Sequence, residues 1–154
     1  MKKWCNLKLI ENESATDLVD DLIAKGFKIS DWIVDIFYTL DSKMNNNYEL
    51  WSISLDDLGF EGPTKIKDFY AKFEENGFRT VPPEISLILR REYTDQPTSE
   101  WLRVATPLKS MIDSDGVPHL PKLGSGLGNL YVETYWAWPE AIFHPHNEFI
   151  VEKV

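Results

Sequence analysis

The chain has 154 residues, a net charge of −9, 43% hydrophobic residues and 27% charged residues. This length and balance predict a single domain over residues 1–154 and exclude a disordered chain. The apolar runs are far shorter than the roughly 20 residues of a membrane span, and no apolar signal-peptide core follows the first lysines. We therefore expect a cytoplasmic protein with no membrane partner.

The charge is distributed unevenly along the chain. Acidic residues outnumber basic ones by 12 to 6 in residues 1–61 and by 6 to 2 in residues 111–154, whereas the middle is nearly neutral. Nucleic-acid binding needs clustered lysine and arginine, so we predict no nucleic-acid partner. An excess of carboxylates instead favours a basic protein partner. The single cysteine, Cys5, excludes an intrachain disulfide and a cysteine-based zinc cluster.

The first predicted helix begins at Ser14. Ser14 is a suitable N-cap, Asp17 occupies the capping-box position, and Leu18 and Leu22 belong to one apolar stripe. Gly26 is expected to end this helix.

Gly62-Pro63-Thr64 marks the start of the second predicted helix, because proline is favoured in a first helical turn. Its apolar stripe has helical spacing and comprises Ile66, Phe69, Tyr70 and Phe73. Gly77 is expected to end it.

Four segments have the alternating pattern of β-strands. They are DWIVDIFYTLD (31–41), YELWSISL (48–55), EISLILRRE (84–92) and EWLRVATPL (100–108). Residues 41–47 are predicted to turn between the first two. A shift of 51 residues aligns the helix ends and strand faces, which suggests two α-β-β units, at about 14–55 and 63–107.

The last third differs in composition. Residues 109–129 are rich in turn formers and predict a long loop, whereas NLYVETYWAW (129–138) is apolar on both faces and predicts a central or doubly covered strand. NEFIVEKV (147–154) predicts a last, short edge strand. The expected fold is α+β, with two helices packed on a mostly antiparallel sheet of five or six strands.

Three motifs that can bind ions or cofactors are incomplete. His144 and His146 could share a zinc ion, but a third ligand from Glu140, Glu148, Asp113 or His119 would be needed, and no companion motif is present. Residues 113–116 begin like a calcium loop but lack its later ligands, so a polar turn is predicted. Residues 124–128 resemble a phosphate loop without a following helix and predict a mobile connection. We predict no metal, no cofactor and no catalytic residues, and the glycosylation sequon at Asn12 is given no role.

The preferred hypothesis is a non-enzymatic binding protein with an acidic face. In size and charge alone the chain resembles the small immunity proteins that neutralise bacterial toxins, which are often basic nucleases. Trp138 and Phe143, beside the Pro139 turn, are expected to be exposed anchors. The predicted interface comprises Asp17, Asp20, Asp21, Asp56, Asp57, Glu61, Trp138 and Phe143.

Two alternatives stay open. A secretion chaperone would share the size and acidity and would dimerise through an apolar surface. A small enzyme or a ligand-binding or metal-binding domain would use the loop 113–129 with His144 and His146 in a deep pocket.

Overall fold

The computed structural model describes residues 1–9, 13–41, 44 and 47–154. Asn12 of the sequon and most of the predicted 41–47 turn lie outside these residues. The described part has four α-helices: α1 (Ala15–Ala24), α2 (Asp31–Thr39), α3 (Ile66–Glu75) and α4 (Glu84–Glu92).

The main sheet is mixed and has eight strands. Its order is β1-β3-β10-β6-β7-β8-β2, and β5 also pairs with β10. The β10–β6 and β8–β2 pairs are parallel, and the other pairs are antiparallel. Two short strands, β4 and β9, form a separate pair. The ten strands are β1 (Lys2–Lys8), β2 (Lys28–Ile29), β3 (Asn47–Ser54), β4 (Thr64–Lys65), β5 (Phe78–Arg79), β6 (Trp101–Val104), β7 (His119–Gly126), β8 (Asn129–Trp136), β9 (Ile142–Phe143) and β10 (Glu148–Lys153).

Helices pack on both faces of this sheet. On β10, Ile150 belongs to one hydrophobic cluster, and its neighbours Phe149 and Val151 belong to another. Because successive strand side chains point to opposite faces, the two clusters lie on opposite sides of the sheet. The first contains residues of α1, α2 and α4, and the second those of α3. The α+β class is therefore confirmed, but the predicted two helices and five or six mostly antiparallel strands are wrong.

Both predicted helices form. The Ser14 hydroxyl accepts a hydrogen bond from the Asp17 amide at 3.1 Å, which caps α1 as expected. The stripe Ile66, Phe69, Tyr70 and Phe73 is buried on α3. Helix α3 begins only at Ile66, however, so Pro63 precedes it and does not occupy its first turn.

Residues 31–41 and 84–92 were predicted as strands, which is wrong. Both segments are helical, as α2 and α4. In α2 the buried residues are Ile33, Ile36 and Phe37, which have helical spacing, and the Ser30 hydroxyl accepts a hydrogen bond from the Trp32 amide. Helix α4 is buried from Glu84 to Arg90 between α1 and the sheet. An apolar pattern all round a short helix cannot be distinguished from a strand by periodicity.

The predicted α-β-β units have a different internal order. Each half contains a helix, a two-residue strand, a second helix and a longer strand, and α1 and α3 are related by the 51-residue shift at both ends. The equivalent short strands pair differently, since β2 is parallel to β8 and β5 is antiparallel to β10. The recurrence therefore holds for element order and not for strand pairing.

Three predictions for the last third have mixed outcomes. Strand β8 forms over Asn129–Trp136, but it is not doubly covered, because β2 pairs with it only at Tyr131 and Val132 and several of its side chains are exposed or half-buried. The expected long loop contains the eight-residue strand β7. Gly124 and Gly126 lie within that strand, and Gly128 lies in the two-residue turn Leu127-Gly128 that joins β7 to β8, so residues 124–128 do not form the predicted loop. Both turn residues have positive φ, as a type I′ hairpin turn requires. The predicted edge strand β10 is central, between β3 and β6.

Among the described residues, no helix is long and apolar enough to cross a membrane.

Candidate functional site

The six acidic residues predicted to form one interface fall into two groups. Asp17, Asp20 and Asp21 lie on α1, which packs in the first hydrophobic cluster. Asp56, Asp57 and Glu61 follow β3, where the neighbouring Leu55, Leu58 and Phe60 pack in the second cluster. The two groups therefore lie on segments that pack against opposite faces of the sheet.

Three of these carboxylates have partners within the fold. Asp20 accepts a hydrogen bond from the Tyr38 hydroxyl at 2.7 Å, which raises the pKa of Tyr38. Asp21 forms an ion pair with Lys25 at 3.0 Å, and Asp57 accepts a hydrogen bond from the Ser54 amide at 2.8 Å. These contacts stabilise helix and turn structure, and the Lys25 ammonium offsets the charge of Asp21.

The two predicted aromatic anchors differ in exposure. Trp138 is 47% exposed, as expected, but Phe143 is only 2% exposed. Phe143 pairs with Thr64 across β9 and β4, and its ring packs between Tyr135 and Phe149, each with a ring-centroid distance of 5.0 Å. Phe143 is thus a core residue, and its predicted exposure is wrong.

The histidine pair forms no site with a third ligand. His144 and His146 are exposed and stacked, with ring centroids 6.2 Å apart. Glu140, a candidate third ligand, instead bridges Lys65 at 2.9 Å and Lys67 at 3.2 Å. Across the described chain, no group of three or more histidine, cysteine or acidic side chains could hold a metal ion.

A different acidic site lies between α2 and the turn after β6. We call this the acidic cleft; it has a volume of about 490 Å³ and is lined by α2 residues Asp31, Trp32, Asp35, Ile36 and Thr39 and by Ile112, Asp113, Ser114 and Asp115. Trp32 is 69% exposed, a large value for a tryptophan. Asp31, Asp35 and Asp115 form no ion pair within the part of the chain that the structure describes.

The charges in the acidic cleft repel one another. Asp31 and Asp35 are four residues apart on α2, a spacing at which like charges destabilise a helix by about 0.2–0.5 kcal/mol. Asp31 is partly compensated, because it lies in the first turn of α2, where the helix dipole favours a negative charge. A bound cation would remove the remaining repulsion.

The opposite wall of the acidic cleft is fixed by Asp113. Its carboxylate accepts hydrogen bonds from the Asp115 and Val117 amides, both at 2.9 Å, and contacts His119 Nε2 at 2.8 Å. The His119 contact and the two amides hold the pKa of Asp113 below its usual value. His119, only 3% exposed, contacts the Thr134 hydroxyl through Nδ1 at 2.7 Å. The predicted polar turn at 113–116 is confirmed, and it is anchored to the β7–β8 hairpin.

The sequence prediction missed the acidic cleft because it assigned α2 to a strand. In a strand, Asp31 and Asp35 would lie on one face and Trp32 on the other. In a helix, Trp32 and Asp35 lie on the same face, because they are three residues apart. The missed signal was Ser30-Asp31, an N-cap residue followed by a first-turn acid.

No protein-family model, no curated protein and no solved structure matches this chain.

Proposed function

We propose that this protein is a non-enzymatic binding protein that takes lysine or arginine side chains of a basic partner protein into the acidic cleft. The observation that carries the proposal is the exposed Trp32 ring beside Asp31 and Asp35, which have no cationic partner among the described side chains. An exposed tryptophan next to unpaired carboxylates is suited to a cation that carries an apolar stem.

Two interactions would act on the same cationic side chain. A cation over a tryptophan face gains about 0.5–2 kcal/mol, and the flanking carboxylates add charge-assisted hydrogen bonds. The net charge of −9 would also accelerate the encounter with a basic partner, and this acceleration falls as salt is added.

The finer form of this proposal is an immunity-type inhibitor of a basic toxin or nuclease, acting in the cytoplasm. Its support is the chain's size and acidity together with the acidic cleft. The three side chains that an enzyme would most readily use are poorly placed for chemistry. Burial raises the pKa of the Cys5 thiol. His119 is buried at the start of β7, where Asp113 and Thr134 occupy both ring nitrogens, and His144 stacks on His146 in an exposed turn.

A dimeric secretion chaperone is the second candidate, and one observation favours it. Trp136 is 63% exposed, and together with Trp138 and Ile142 it lines an open, mostly apolar depression of about 480 Å³. Light scattering coupled to size-exclusion chromatography separates the two candidates, since a stable dimer supports the chaperone.

The test compares two variants that lose equal charge. Asp31→Asn/Asp35→Asn removes carboxylates of the acidic cleft, and Asp68→Asn/Glu74→Gln removes two exposed carboxylates on α3, which packs on the other face of the sheet. Immobilised protein is incubated with lysate of the source organism at low and high salt. We expect the wild type and the α3 variant to capture the same basic protein, and the cleft variant or high salt to abolish capture. Equal capture by the cleft variant would contradict the proposal.

A further inference from the structure

The face of β6, β7 and β8 opposite α4 carries partly exposed side chains. Leu102, Leu123 and Val132 point into the first hydrophobic cluster, so their strand neighbours point the other way. The second cluster, under α3, draws mainly on β3, β5 and β10. Trp101 is 40% exposed and Tyr135 is 37% exposed. We call Trp101, Arg103, Lys122 and Tyr135 the open face.

Two cations lie side by side on the open face. Arg103 and Lys122 are partners in the β6–β7 register. Within the described ranges neither side chain forms a hydrogen bond or an ion pair, and the buried Nε of Arg103 has no acceptor. Both side chains contact aromatic rings. Lys122 Nζ lies 4.5 Å from the Trp101 ring centroid and 5.7 Å from that of Tyr135, and the Arg103 guanidinium lies over the Phe143 ring.

These two charges are costly in the free protein. Burial lowers the pKa of Arg103, and burial together with the Arg103 charge lowers the pKa of Lys122. Glu133 is opposite Lys122 in the β7–β8 register, and its charge offsets part of this lowering of the Lys122 pKa, although the two side chains do not form an ion pair. Behind the sheet, the guanidinium of the buried Arg90 donates to the Gly124 and Tyr131 carbonyls. An anion seated between Arg103 and Lys122 would relieve this repulsion.

We propose that the open face binds an acidic segment of a protein partner, with a carboxylate seated between Arg103 and Lys122 and apolar side chains against Trp101 and Tyr135. Tryptophan, tyrosine and arginine are the residues most enriched in interface hot spots. A chain with a net charge of −9 repels a long polyanion, which favours a segment carrying one or two carboxylates over a nucleic acid. This inference is independent of the acidic cleft, which attracts the opposite charge.

The test uses fluorescence anisotropy with labelled peptides. The probe alternates glutamate with leucine and serine; the comparison probes replace glutamate by glutamine or by lysine, and a short oligothymidylate represents nucleic acid. The variant is Arg103→Gln/Lys122→Gln, and the control is Lys8→Gln/Lys72→Gln, which removes two exposed lysines on β1 and α3. Thermal unfolding verifies folding, and Lys122→Gln alone replaces the double variant if that does not fold.

We expect the wild type and the control to bind the glutamate peptide, and the open-face variant to bind it at least roughly tenfold more weakly. The glutamine peptide should bind the wild type more weakly than the glutamate peptide does, and binding of the lysine peptide, which the acidic cleft attracts, should be unchanged in the open-face variant. No binding of the glutamate peptide, equal binding by the variant, or tighter binding of the oligothymidylate would each overturn the proposal. A negative result in this peptide-binding test would not affect the acidic-cleft proposal, because the capture experiment that tests the acidic cleft changes only Asp31 and Asp35.

Discussion

The indole ring of Trp101 lies against the backbone of Gly124 on the neighbouring strand. A Cβ placed on Gly124 would come within 2.2 Å of Cζ3 of Trp101, far inside van der Waals contact. Glycine at this position of β7 therefore lets the indole lie flat on the sheet. There the Lys122 ammonium lies 4.5 Å from the ring centroid.

Gly124→Ala should displace the Trp101 ring and destabilise the protein. We expect the free energy of unfolding to fall by about 1–3 kcal/mol, the usual cost of overpacking a well-packed contact. Gly126→Ala is the matched control, because a Cβ there meets nothing within 4 Å and the residue has no positive φ. Chemical denaturation measures both. In a Trp101→Ala background the cost of Gly124→Ala should largely disappear, and an unchanged cost would contradict the explanation.

Arg90 should be a stability residue of the β7–β8 hairpin. Its fully buried guanidinium donates to Gln96 Oε1 at 2.7 Å and to the Gly124 carbonyl at 3.0 Å, and burial lowers its pKa to about 10, which leaves it charged at neutral pH. Arg90→Met would leave buried acceptors without donors, so we expect a loss of about 3 kcal/mol in urea denaturation. Lys72→Met, an exposed change, should have little effect. A loss under about 0.5 kcal/mol for Arg90→Met would refute this role.

Glu140 should give a stability contribution that depends on pH. Hydrogen bonds from Lys65 and Lys67 hold the pKa of Glu140 below its ordinary value of 4.5. Since the folded pKa is lower than the unfolded one, the contribution is present above the unfolded pKa and is lost as the pH falls through the folded pKa. Glu140→Gln should therefore be less stable than the wild type at neutral pH, and the difference should disappear as the pH falls through the folded pKa.

The matched variant for this experiment is Glu74→Gln, an exposed glutamate on α3. Its difference from the wild type should not follow the same pH course. An NMR titration that follows the side-chain carboxyl carbon of Glu140 measures its pKa directly. A pKa at or above 4.5 would show that the two lysines do not stabilise the carboxylate.

Trp32→Ala should separate binding from stability. The ring is 69% exposed, so its removal should change the free energy of unfolding by no more than about 0.5 kcal/mol. Binding of a basic peptide should nevertheless weaken, because the cation loses its aromatic partner. Trp138→Ala is the control, since Trp138 is 47% exposed and does not line the acidic cleft. Equal binding by both variants would remove Trp32 from the proposed site.

Local signals in the sequence were sufficient for some elements. Ser14 with Asp17, and the stripe from Ile66 to Phe73, predicted α1 and α3, because caps and helical spacing act within a few residues. Strand β8 was predicted from alternation alone. Helix α2 could not be predicted in this way, because Trp32, Val34 and Ile36 also alternate as in a strand. Burial of Ile33 and Phe37 against the rest of the fold decides in favour of the helix.

Other features depend on neighbours that are distant in sequence. Pro121 has no amide hydrogen to donate to a neighbouring strand. Because β6 pairs with β7 only as far as Lys122, this costs no hydrogen bond to β6, and proline is tolerated in β7. The turn-rich composition gave no sign of this arrangement. Phe143 was misjudged for the same reason, because its burial depends on β4, Tyr135 and Phe149.

The most direct test of the acidic cleft is an NMR titration of the protein with an arginine-rich peptide at low salt. We predict that the Trp32 indole N–H signal and the amides of residues 31–35 and 112–115 shift first and saturate together, and that Asp31→Asn/Asp35→Asn abolishes these shifts. Shifts spread evenly over α1, the Asp56–Asp57 region and α3, with the Trp32 signal unmoved, would contradict the proposal that the acidic cleft is the binding site.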